Sequence, residues 1–172
     1  MAWDREVPAV EFHRVPEPLV DVFEFLNTLD ERTFGGRVPD DELGAWLDRK
    51  GVDDLTLARD LREVLREVTV ANHTGDLANP IREKLTAVGA RLPLHVDGQF
   101  GLRGDSALAD VLAAVTVAVA DGSWSRMKSC AAPDCGWVFY DHSKPQTARW
   151  CSTAGCGNRV KTRAYRDRRG NG

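Results

Sequence analysis

Leu19, Val20, Phe23, Leu26 and Leu29 recur at intervals of three and four, the spacing of one buried helical face, and predict a helix near 18–30. The preceding residues 1–18 hold three prolines and little periodicity, which suggests an extended arm with a short strand around Val10–His13. Asp40 is placed to cap a second helix running to about Lys50, with Leu43, Trp46 and Leu47 on one face and Gly51 as its stop. Trp46 reads as a core anchor rather than a cofactor platform. Thr56 is placed to cap a longer helix whose stripe is Leu57, Leu61, Val64, Leu65 and Val68. Its other side, with Arg59, Arg62, Glu63, Arg66 and Glu67, reads as a solvated face of i,i+4 ion pairs. Asn79–Pro80 pairs a cap residue with a proline at the first helical position, opening a fourth helix that Gly89 ends.

The period then changes. Leu92, Leu94 and Val96 alternate, Asp97–Gly98 marks a tight turn, and Phe100 and Leu102 alternate again, which is the pattern of a β-hairpin. His95 falls on the polar side of that hairpin and reads as a surface residue. Asp105 or Ser106 caps a fifth helix to about Asp121, apolar around most of its circumference and therefore expected to be central and buried. Gly122–Ser123 is the expected joint. The predicted class is α+β, mainly α: a helical N-terminal domain over 1–123 with a small hairpin, followed by a distinct C-terminal module over 124–172.

Charge sharpens that division. The chain has 172 residues and a net charge of −3, yet from Trp124 onward it holds ten Lys/Arg and three Asp/Glu, a local charge of +7. The first 123 residues carry 13 basic and 23 acidic side chains. A basic module on an acidic body points to polyanions, nucleic acid above all. The alternative is a basic tail that folds back on its own acidic body. No apolar run approaches a bilayer span, so no membrane partner is expected.

All four cysteines lie in the basic module, as two C-x4-C pairs, Cys130/Cys135 and Cys151/Cys156. Thiolate is a preferred donor for zinc, and structural zinc takes four ligands in a closed tetrahedral shell. The reading is one Zn2+ held by these four residues, against two disulfides or four unrelated buried thiols. The first residues show no charged and apolar leader, which favours a cytoplasmic protein with reduced thiols. His142 could compete as a ligand, but four thiols already complete the set. No phosphate loop, placed nucleophile–histidine pair or open three-ligand metal site is visible, so the expectation is a binding protein rather than an enzyme.

The segment Cys130–Arg169 also resembles a known family. Cys156–Gly157–Asn158–Arg159 follows a C-x4-C pair, a WVFYD strand and the tripeptide Arg149–Trp150–Cys151, which is the pattern of the CGNR zinc finger. Upstream, Phe25–Leu26–Asn27–Thr28–Leu29–Asp30 looks like the opening of the ABATE domain, the usual partner of that finger in proteins classed as stress-induced transcription regulators. The resemblance implies a zinc-stabilised nucleic-acid-binding finger behind a sensing or regulatory domain.

On that footing the finger is expected to be treble-clef-like. Cys130 and Cys135 sit on a knuckle, Trp137–Tyr140 forms a strand, Ala148–Trp150 returns, and Ser152 caps a helix with Cys156 in its first turns. Val160 and Ala164 would face the hairpin. Arg159, Arg163 and Arg166, supported by Lys161 and Arg168, are the expected phosphate contacts. Asn158 either reads a base edge or braces the zinc turn through backbone hydrogen bonds. Asn27 and Thr28 either line a pocket for a small-molecule effector or satisfy local backbone groups. The expected partner is DNA, with a homodimer as a route to useful affinity. An RNA-binding module and a protein-interaction module docking on an acidic partner are the alternatives.

Overall fold

The computed structural model describes residues 15–99 and 101–170; the expected strand near Val10–His13 and the hairpin residue Phe100 lie outside the described residues. A 3-10 turn at Glu17–Leu19 leads into α1 (Val20–Asn27), and β1 (Leu29–Asp30) pairs antiparallel with β2 (Asp40–Asp41). Then come α2 (Leu43–Lys50), α3 (Leu55–Ala71) and α4 (Asn79–Gly89). The hairpin β3 (Leu94–Val96) and β4 (Leu102–Gly104) precedes α5 (Ala107–Ala120). The C-terminal module holds β5 (Met127–Ser129), β6 (Val138–Tyr140) and α6 (Asn158–Gly170). The chain is thus mainly helical with small antiparallel hairpins, and no helix among the described residues is long and apolar enough to cross a membrane.

Three helix starts differ from the expected caps by one or two residues. Asp54, not Thr56, caps α3 by accepting from the Leu57 N–H at 2.8 Å. Asp41 accepts from Leu43 N at 3.0 Å, so α2 starts after the β2 residues rather than at Asp40. Ala78 precedes α4, and Asn79 is already helical. Ser106 caps α5 through Ala109 N, and Gly51, at φ +66°, closes α2 in the left-handed region.

Two expectations about faces are corrected. Arg62 and Arg66 of α3 are buried rather than solvated. Arg62 donates to Thr28 Oγ1 at 2.8 Å and makes a two-pronged contact of 2.6 Å with the Asp41 carboxylate. Arg66 donates to the carbonyls of Leu26 (2.8 Å) and Gly136 (3.0 Å) and pairs with Glu31. The turn after α1 leaves carbonyls without intrahelical partners, and Arg66 supplies the donors, while Arg62, one helical turn earlier, holds the Thr28 hydroxyl and the Asp41 carboxylate. The expectation that α5 is buried around its circumference also fails. α5 packs on β4, α1 and the preceding 3-10 turn, but Val117 and Val119 remain exposed.

One continuous core runs from Val15 in the first turn to Cys156 in the basic module. Polar contacts stitch the same boundary. Asn27 uses both ends of its amide on the Val138 backbone, donating to the carbonyl at 3.0 Å and accepting from the N–H at 2.9 Å. Asn72 donates to the carbonyls of Trp124 and Met127, and Thr69 Oγ1 lies 2.7 Å from Ser129 Oγ. Phe23 meets Trp137 edge to face at 6.2 Å. Asn27→Ala is expected to destabilise the protein by about 2 kcal/mol, from two lost hydrogen bonds and two backbone groups left without partners. Urea denaturation read by tryptophan fluorescence measures it; an unchanged midpoint would contradict the clamp.

Candidate metal centre and basic helix

The knuckle forms because β5 and β6 pair in register, Met127 with Tyr140 and Ser129 with Val138, which brings the residues beyond each strand together. The strand paired with the aromatic strand is Met127–Ser129, which the sequence did not reveal; its three residues are all buried, and it packs on α3. Cys130 N donates to Trp137 O at 2.8 Å, and Cys135 N closes a tight turn on Ala132 O at 3.0 Å. Gly136 follows at φ +64°, a conformation that costs glycine no Cβ strain. The returning segment is held by Ala131 N donating to Arg149 O at 2.8 Å.

The second pair is set by a wide turn. Thr153–Gly157 form one π-helical turn that Ser152 caps through Gly155 N at 3.0 Å, and α6 continues from it. Gly157 lies under the Trp150 indole: an added Cβ would fall 2.3 Å from Trp150 Cδ1. Glycine is therefore required for the helix to start this close to the RWC segment. The backbone N–H of Asn158 donates to the carbonyls of Thr153 and Gly155, while its side chain is exposed. The bracing expected of Asn158 thus belongs to its backbone, leaving the side-chain amide facing outward.

These turns bring the sulfur atoms of Cys130, Cys135, Cys151 and Cys156 within 4.8 Å of one another. Cys135 and Cys151 are 3.8 Å apart and Cys151 and Cys156 3.5 Å. Four Zn–S bonds of about 2.3 Å give a tetrahedron with edges of roughly 3.8 Å. A disulfide needs about 2.05 Å; the four thiols are free. Three of the four are buried and Cys151 is half-buried. Hydrogen bonds from Cys135 and Cys151 pull Cys130 down to about 2, while the contact with Cys130 pushes Cys135 up to about 12 and Cys151 higher still. Crowded sulfurs cannot all ionise without a cation among them, and four thiolates around one divalent ion resolve the conflict.

Residues 126–169 match the family model of the CGNR zinc finger. No curated protein matches the chain. The match begins at Arg126, so it takes in β5 and both cysteine pairs. The segment is a zinc-finger domain whose four cysteines are arranged to hold a metal ion.

Around the finger, the chain supplies charges that no cysteine spacing announces. Arg159 donates to Asp134 Oδ1 at 2.7 Å, lies 3.7 Å from the Cys156 sulfur and stacks 3.7 Å over the Phe34 ring. Burial works against its charge, but Asp134 and the Cys156 sulfur hold the guanidinium above its usual range. Arg32 lies 4.1 Å over Trp137 and is paired with Asp30. Both cations suit a centre that is dianionic when four thiolates hold one divalent metal. Arg159 was expected on a phosphate-binding face with Arg163 and Arg166; it is instead engaged within its own chain by Asp134, Cys156 and Phe34. Arg32 and Phe34 sit far upstream, and only tertiary packing brings them to the cluster.

The remaining expected residues separate. Lys161, Arg163, Arg166 and Arg168 are exposed, and none forms an ion pair with another described residue. Val160 packs on the core, but Ala164 is exposed rather than facing the hairpin, because α6 leaves the body after its first turn. His142 stands outside the thiol cluster and stacks on Tyr140, and His95 is a surface residue near Asp105. Thr28 is buried, donating to Phe25 O and accepting from Arg62; with the Asn27 clamp, the geometry supports the internal reading of that pair. A groove of about 860 Å³ does lie between α3 and the knuckle, lined by Arg59, Arg62, Arg66, Glu63 and Pro133, but Asn27 and Thr28 are not part of its wall.

Proposed function

We propose that the protein is a zinc-dependent DNA-binding regulator whose C-terminal helix carries the nucleic-acid contact. The supporting observation is the state of α6. From Lys161 to Arg169 every residue is exposed, and Lys161, Arg163, Arg166 and Arg168 have no carboxylate partner among the described residues. No carboxylate of the described body has neutralised these four cations. Zn2+ on Cys130, Cys135, Cys151 and Cys156 would anchor its base, and a knuckle closed between β5 and β6, followed by a returning segment and a helix, supports a treble-clef-like finger. The exposed Asn158 side chain, at the start of α6, is suited to a base edge. A shell closed by four thiolates leaves no position for substrate or water, which favours binding over catalysis. The helical part before Trp124 is then the ABATE-like regulatory element, sensing an effector or dimerising, in a cytoplasmic protein. A single finger with few contacts binds weakly, so two copies on one site would supply useful affinity.

Titration of a labelled random-sequence DNA duplex and an RNA duplex, at two salt concentrations and with or without chelator, tests this. Four phosphate contacts predict a log–log salt slope of about −3.6, or roughly 100-fold weaker DNA binding at 200 than at 50 mM salt. Chelator should abolish binding. Preference for RNA would reassign the partner, and binding indifferent to salt and chelator would overturn the reading.

A further inference from the structure

We propose that the loop 142–149 is a second phosphate clamp, presenting Lys144 and Arg149 to the DNA backbone beside α6; the inference rests on the DNA-binding reading and extends its surface. The loop is held from inside. The Asp141 side chain, with no exposed surface, accepts from Lys128 Nζ at 2.9 Å, Ser143 N at 2.9 Å, Ser143 Oγ at 2.6 Å and Ala148 N at 3.0 Å. Lys128 also donates to Gln146 O at 2.5 Å, and Arg126 donates to the carbonyls of Asp141 (2.8 Å) and Ser143 (3.1 Å). Two inward cations and one buried carboxylate thus satisfy the loop's backbone. Gln146 even holds φ +54°, a left-handed conformation unusual for a side-chain-bearing residue.

The outward cations are treated differently. Lys144 and Arg149 are exposed, and neither forms an ion pair with another described residue. From His142 to Arg166 the sequence contains no Asp or Glu. The loop and the helix are also mechanically joined: the Arg149 guanidinium lies 5.2 Å over the Trp150 ring, and Trp150 packs against Gly157, the residue before α6 begins. A loop fixed by buried hydrogen bonds, joined at its base to a helix with unpaired cations, offers a polyanion a surface whose loop half needs little ordering on binding. A flexible basic tail would supply charge without this geometry.

The test compares the full-length zinc-loaded protein with Lys144→Gln/Arg149→Gln, using a labelled random-sequence DNA duplex across a salt series. Both side chains are exposed, so melting temperature and zinc content should not change. With the clamp, the unaltered protein has about six contacts and a slope of about −5.4 rather than the about −3.6 of the helix alone; the loop variant should return to the helix value, with affinity near 100 mM salt lower by roughly tenfold or more. Arg163→Gln/Arg166→Gln on α6 serves as the reference for the helix contact. If that pair weakens binding while the loop variant leaves slope and affinity unchanged, the clamp is overturned and the DNA-binding reading stands. If the unaltered protein does not bind the duplex, both fall together.

Discussion

Stripping the metal with a chelator is expected to unfold far more than the finger. Metal binding in isolated finger peptides is worth about 10–16 kcal/mol, as much as the whole stability of an ordinary domain, about 5–15 kcal/mol. The finger here is not a separate body: Cys130, Cys135, Trp137, Val138 and Cys156 belong to the same core as Phe23, Leu26 and Leu65. Losing the ion leaves crowded thiols at that core and releases Trp137 and Val138 from α1. A loss of about 5 kcal/mol, at roughly 2–4 °C per kcal/mol, would lower the melting midpoint by about 10–20 °C or abolish a cooperative transition. Cys135→Ser should do the same without chelator. Zinc content by mass spectrometry, expected at one ion per chain, and a thermal scan by circular dichroism check this. An apo protein that melts at the same temperature as the loaded one would contradict the tetrathiolate centre.

Lys128→Met is expected to cost about 3 kcal/mol, because it leaves the Asp141 carboxylate buried without its cation. The pair is 2.9 Å apart, with 3% of the lysine side chain and none of the aspartate exposed. Three donors from Ser143 and Ala148 remain on the carboxylate, which keeps the cost at the low end for a broken buried pair. Asp141→Asn should cost less: its amide oxygen keeps the two bonds from Ser143, only Ala148 N loses its acceptor, and Lys128 still donates to Gln146 O. The double variant should then recover part of the Lys128→Met loss, a coupling of about 1–2 kcal/mol in a double-mutant cycle. Burial raises the Asp141 carboxyl, but the hydrogen bonds from Ser143 and Lys128 outweigh it and hold the group below its ordinary value. The sign follows: this contribution is complete above a pH of about 4 and is lost as pH falls through the lowered value. Urea denaturation of the four proteins at neutral pH measures the cycle; equal costs for both single changes and no coupling would contradict the pairing.

What could be read along the chain was what depends on near neighbours. The stripes of α1, α2, α3 and α5, the turn at Asp97–Gly98 and the Gly51 stop depend on residues within a few positions, so period and punctuation reveal them. The four cysteines were legible for a similar reason: two pairs at fixed spacing, with no thiol elsewhere, describe a ligand set. Their meeting within 4.8 Å agrees with that reading.

Arg62 and Arg66 had the same local signature as Arg59, a cation on the polar side of an amphipathic helix. Arg62 is buried against the Thr28 hydroxyl and the Asp41 carboxylate, and Arg66 against carbonyls at the end of α1 and at Gly136, the latter 70 residues away, which no periodicity encodes. Arg159 likewise looked like Arg163 and Arg166 by spacing, until Asp134 and Phe34 met it. Asn27 could be a ligand group or a structural one until the Val138 backbone faced it. By itself, then, the amino-acid order determined the main helices, the four-cysteine cluster and the opposed charges of the two halves. Only tertiary packing decided which charges remain free for a partner, because a charged side chain's role depends on the groups that surround it in space.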